Sequence, residues 1–152
     1  MKPFIVLLGV FALSLFVLKI WQGDFKFALS GRIAMSAMLL FTAIGHFAFT
    51  EGTTMMLPDF IPYKIEVVYL TGIIEIGAAI GLFIPHLRVI TAWLLITFFI
   101  LILPANIYAA IKEVDYQKGT YEGNGLTYLW FRIPLQIFFV IGIGIVTYRL
   151  FT

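Results

Sequence analysis

Apolar side chains run in five long stretches, 3–21, 33–50, 67–84, 89–111 and 129–151, and the segments between them collect the charges, prolines and glycines. A helix needs about 20 such residues to cross about 30 Å of hydrocarbon. Each stretch therefore predicts a membrane-spanning helix. The connections are 22–32, 51–66, a tight 85–88, and 112–128 with Gly119, Gly123 and Gly125. No segment is low in complexity and no repeat stands out, so the chain reads as one integral membrane domain over 1–152. The connection 51–66 stands apart, because its run from Met55 to Pro62 is apolar yet too short and too proline-rich to span. It fits either an amphipathic connection lying in the interface or a lid over whatever opens on that side.

Composition removes the soluble alternative. Of 152 residues, 62% are hydrophobic and only 12% charged, against about 25% charged in an average soluble domain; a water-exposed globule of this size could not cover its surface. The net charge of +2 gives no reason to expect a nucleic-acid partner, and the absence of cysteine excludes disulfide relays, thiol nucleophiles and thiolate metal sites. Lys2 followed by an apolar run resembles the start of a signal peptide. The run is long, however, lacks a small-x-small cleavage site and is followed by Lys19, Lys26 and Arg32. A retained helix is expected.

With five spans, Lys19, Lys26, Arg32, Arg88 and Arg149 fall on one side and Lys2, Lys64, Lys112 and Lys118 on the other, in longer connections that also carry most of the acids. The positive-inside rule then places the N-terminus outside and the C-terminus in the cytoplasm. The expected location is a bacterial inner membrane, crossed several times.

Ionisable groups inside spans cost about 2.5–3.5 kcal/mol each on insertion scales and are functional candidates by default. Here they are His46, Glu75 and Arg132, joined by the amides Asn106 and Gln136. At 1.5 Å per residue, His46 lies about 6 Å and Asn106 about 8 Å from the outer ends of their spans, with Arg132 about 5 Å and Gln136 about 10 Å into the fifth. Glu75 is deepest. All five fall in the outer half, where a shared interior site keeps them from facing lipid unpaired. The pairs Thr42 and His46, Thr71 and Glu75, and Arg132 and Gln136 are each four apart and share a helical face. Pro104 removes an amide and frees the Ile100 carbonyl beside Asn106. Two readings stay open: a ligand or catalytic pocket, or an Arg132–Glu75 ion pair with interhelical hydrogen bonds that only fix helix register. The other imidazole, His86, belongs to the opposite end, so no metal site is expected. Gly77 and Gly81 form a GxxxG pattern suited to internal packing or to a dimer seam.

Gly45-His46-Phe47, Met56-Leu57-Pro58 through Pro62, Gly72-Ile73-Ile74-Glu75-Ile76-Gly77-Ala78, Gly81-Leu82 with Pro85 and Arg88, Pro104-Ala105-Asn106-Ile107-Tyr108 and Arg132-Ile133-Pro134-Leu135-Gln136 resemble, in order and spacing, small membrane proteins of the DoxX family. The resemblance covers about 31–150. It implies an all-α membrane protein, an antiparallel four-helix transmembrane bundle whose signature polar residues are His46, Glu75, Asn106 and Arg132, to which 3–21 adds one N-terminal transmembrane helix. That family is associated with thiosulfate:quinone oxidoreduction, oxidative-stress complexes and membrane-protein assembly.

The expected function is binding of a small amphipathic molecule, a quinone or other isoprenoid lipid, in the polar intramembrane pocket, with redox-associated proton transfer. His46 and Glu75 are the catalytic candidates, as acid and base; Asn106, Arg132, Gln136, Thr42 and Thr71 are the ligand-binding ones. Expected partners are the bilayer, the lipid-like molecule, and a membrane oxidoreductase or a second copy of the chain. The alternative is a non-catalytic assembly or accessory subunit of a membrane complex.

Overall fold

A computed structural model describes residues 2–127 together with 129, 130, 133, 134, 136, 137, 140 and 141. Five helices follow in order: α1 (Lys2–Gln22), α2 (Phe27–Ala48), α3 (Thr50–Thr54), α4 (Lys64–Gly81) and α5 (Arg88–Ile111). Helical backbone recurs at 125–127, 129, 130, 133, 134, 136, 137, 140 and 141, and the described residues contain no strand. Among them α1, α2 and α5 are long and apolar enough to cross a membrane. The third expected span is realised as α4, whose 18 residues extend about 27 Å but carry Lys64, Glu66 and Glu75. The fifth, 129–151, falls mostly outside the described residues.

Element boundaries depart from the apolar stretches for local reasons. The second helix begins at Phe27 rather than at 33, because Gly31 and Arg32 are helical: Arg32 Nε donates to the Ala28 carbonyl one turn back at 3.3 Å. The third begins at Lys64 and ends at Gly81. Pro62 sets its start, with Glu66 in the first turn where an acid favours the helix dipole. Beyond Gly81 the chain tightens into turns, Phe83 N donating to Ile80 O at 3.0 Å and Ile84 N to Gly81 O at 3.3 Å.

Helix α2 lies between α1 and α4, and α5 closes the core. Leu7 of α1, Ala34, Met38 and Leu39 of α2, Ala79 of α4, and Ala92, Leu95, Phe98 and Phe99 of α5 are buried together. In a bilayer helices associate by close packing and buried hydrogen bonds, because lipid is as apolar as the core. Small residues at the crossings provide the first. Ser36 provides the second, its Oγ donating from α2 to the Ala79 carbonyl of α4 at 2.9 Å. The GxxxG pattern is used internally at one end only: a Cβ on Gly81 would meet the Thr91 side chain, while Gly77 faces open space.

Candidate functional site

His46 stands in the last turn of α2 and Glu75 at the start of the fourth turn of α4, about 16 Å along that helix from Lys64. Gly72 brings them together. A Cβ there would lie 3.1 Å from the Phe47 ring and 3.3 Å from the His46 Cβ, so only glycine lets α2 settle this closely, one turn before Glu75. The result is a His46 Nε2 to Glu75 Oε2 separation of 3.5 Å. Because α2 stops at Ala48, level with the middle of α4, the short helix α3 and the segment after it fill the space above.

Glu75 is 4% exposed and Asn106 3%. Among the described residues, Glu75 Oε2, Asn106 Nδ2 and His46 Nδ1 are buried without a hydrogen-bond partner, although buried polar atoms are satisfied in the large majority of cases. All three residues border one cavity of about 200 Å³, together with Thr42 and Thr71. Both hydroxyls donate to carbonyls of their own helices, Thr42 Oγ1 to Leu39 O at 2.9 Å and Thr71 Oγ1 to Val68 O at 2.7 Å. They turn only acceptor capacity toward the cavity. The site thus offers a donor at Asn106, an acceptor at Glu75 and an imidazole beside that acceptor.

Of the seven residues expected at the site, five line this cavity. Gln136 is buried elsewhere: its Nε2 donates to the Phe99 carbonyl of α5, one residue before the Ile100 carbonyl that Pro104 deprives of its partner, and it is absent from the cavity wall. Arg132 lies outside the described residues. Met56 and Leu57, from the run read as a possible lid, also line the cavity, and with them Thr53, Tyr116 and Gln117, which the sequence did not point to. The latter pair arrives through an Asx turn: Asp115 Oδ1 accepts from Gln117 N at 3.1 Å and Lys118 N at 3.3 Å, with the reversal completed by an Asp115–Thr120 bridge. Asp115 through Gly119 is a readable turn signature, but nothing local says where the turn lands.

The apolar segment of 55–62 is tied down at Asp59. Tyr108 of α5 donates its hydroxyl to Asp59 Oδ2 at 2.9 Å, and Lys64 Nζ donates to Asp59 Oδ1 at 3.1 Å and to the Leu57 carbonyl at 3.0 Å. The Tyr108 hydrogen bond, then Lys64 and the more distant Lys112, hold the Asp59 carboxyl below the usual carboxylate range. A depressed carboxyl contributes its stabilisation above the unfolded value of about 3.9 and loses it as pH falls through the folded one. Amide protection factors over 55–63, taken against the intrinsic exchange rate at each pH, are therefore expected to fall on acidification through that range. Asp59→Asn should show the low protection already at pH 7, and unchanged protection would mean that the latch does not hold the segment.

Three helices long and apolar enough to cross a membrane mark a helical membrane protein, with polar side chains on the wall of one cavity. Residues 35–146 match the family described as a domain of unknown function, DUF8561, and the chain belongs to that family. The matched residues begin inside α2 and leave α1 outside. No curated protein and no solved structure matches the chain.

Proposed function

We propose that this is a DoxX-like protein, an antiparallel four-helix transmembrane bundle with an additional N-terminal helix, which binds a small amphipathic molecule, a quinone or other isoprenoid lipid, in its polar pocket. It resides in a bacterial inner membrane with its N-terminus outside and its C-terminus in the cytoplasm. A family match that begins only within α2 is in keeping with α1 as the added helix. One observation carries the functional reading: a carboxylate and an amide, each at least 96% buried, leave an acceptor and a donor without a partner among the described residues, on the wall of one cavity. Buried polar atoms without partners cost about 1–3 kcal/mol each, a cost that scaffolding alone has no reason to retain.

In this reading Asn106 donates to a ligand oxygen and Thr42 and Thr71 offer acceptors around it. Glu75 and His46, 3.5 Å apart, exchange the proton that such an oxygen gains or loses, the imidazole offering one ring nitrogen to each side. A bound quinone supplies electron and proton acceptance at its ring oxygens; the electrons come from a partner membrane oxidoreductase, because no side chain in the site carries them. Arg132 is proposed to hold an anionic oxygen or Glu75 itself, and Gln136 to orient the helix that bears it.

The test pairs gentle extraction with melting. Wild type should retain a lipid-like small molecule by mass spectrometry, and His46→Gln should lose it while melting within about 2 °C of wild type. If wild type retains nothing and His46→Gln melts early, by the order of 1 kcal/mol expected of an interhelical hydrogen bond, the accessory-subunit reading replaces this one.

A further inference from the structure

The cavity has two ends of different character. Toward the connections Thr53, Met56 and Leu57 line it with Tyr116 and Gln117, and the two segments touch at Gly52 and the Tyr116 backbone. That contact is braced by Lys2 Nζ, which donates to Gln117 Oε1 at 3.0 Å, and by the Phe49 ring set edge-on to Tyr116 at 6.2 Å. Between α1 and α2, among the described residues, its wall is exposed. Phe41 and Ile44 line the cavity and yet remain 39% and 65% exposed, with Pro3 as the lining residue from the start of α1. They precede the end of α2 by seven and four residues, about 10 and 6 Å, on a helix long and apolar enough to cross the membrane. Surface exposed there faces hydrocarbon.

Size and polarity narrow what enters. A cavity of about 150 Å³ takes one benzene, so about 200 Å³ takes one substituted six-membered ring and has no room for a long chain. A ring hydroxyl offers both functions that the wall lacks, a donor for Glu75 Oε2 and an acceptor for Asn106 Nδ2. A carboxylate head would set a second anion beside Glu75, where low dielectric magnifies repulsion.

We infer that the pocket is loaded sideways from the bilayer, between the start of α1 and the last two turns of α2, and takes a tailed amphiphile whose hydroxyl-bearing ring enters while its tail stays in lipid. The inference rests on the ligand-pocket reading above and adds the route and the head-group class.

The test uses the full chain in phosphatidylcholine nanodiscs with 4-butylphenol, 4-octylphenol and 4-dodecylphenol at equal mole fraction in the bilayer, occupancy being read by native mass spectrometry. A tail that rests in lipid before and after binding adds nothing, so the three occupancies should agree within about threefold. Ile44→Trp should cut all three at least tenfold, and Ile44→Val should restore them. An occupancy that falls steeply from butyl to dodecyl overturns lateral loading, because a closed cavity excludes the longer chains. No binding of any probe overturns the head-group class. Asn106→Ala separates the two levels: if it abolishes binding while the chain-length cut-off appears, only the route fails, whereas occupancy indifferent to Asn106→Ala removes the pocket reading as well.

Discussion

Replacing Gly52 with valine is expected to produce the largest loss of stability of any single substitution in the connections. Gly52 is buried in α3, and a Cβ built there would sit on the carbonyl oxygen of Tyr116, with the Tyr116 carbonyl carbon and Cα close behind. Both sides of that contact are backbone, so no rotamer change relieves it. One of the two segments must move. Overpacking of this kind costs about 1–3 kcal/mol, and a backbone clash belongs at the upper end, about 5–10 °C in melting temperature for a chain of this length. Gly77→Ala is the control, because that position faces open space within α4 and alanine gains about 0.5–1 kcal/mol over glycine in a helix. Equal melting of the two variants would show that the α3 segment and the Tyr116 turn do not meet.

That contact also marks where the sequence stopped being informative. The polar site was legible because helical spacing is local: Thr42 and His46, or Thr71 and Glu75, are four residues apart, and four residues return to the same face whatever the rest of the chain does. Asn106 was legible as an amide inside an apolar span, at a depth shared with His46. The apolar run after α3 could be read as a lid because it was too short to span and sat at the same end as the polar groups. What could not be read was the opposing side. The 115–120 turn is encoded by Asp115 and Gly119, but its landing on Gly52 depends on how α2, α4 and α5 set their ends, and that is decided by packing across more than 60 residues. Gln136 failed differently. Its spacing to Arg132 placed it on a polar face, yet the Phe99 carbonyl of α5 captured its amide, a competition that spacing alone does not rank.

Glu75→Gln should cause the largest loss of function, and it separates a pocket from a scaffold. The amide keeps the volume and removes the charge, so a ligand hydroxyl loses a charged acceptor, worth about 1.5–3 kcal/mol or about ten- to hundredfold in retention of a bound phenol. Stability should hold or rise, because among the described residues Glu75 Oε2 has no hydrogen-bond partner and His46 approaches it only to 3.5 Å. The carboxylate carries its desolvation cost with little return in the fold, as groups kept for function do. The sequence-based alternative, an Arg132–Glu75 pair that locks the bundle, predicts the reverse. Breaking a buried pair on one side costs about 3–5 kcal/mol, and Arg132→Gln added to Glu75→Gln should then recover most of it as a large coupling energy. Melting curves of the two single variants and the double, run beside phenol retention, read both quantities at once. A deep loss of stability in Glu75→Gln that Arg132→Gln repairs, with retention unchanged throughout, would assign these residues to holding helices together and leave the cavity without a ligand.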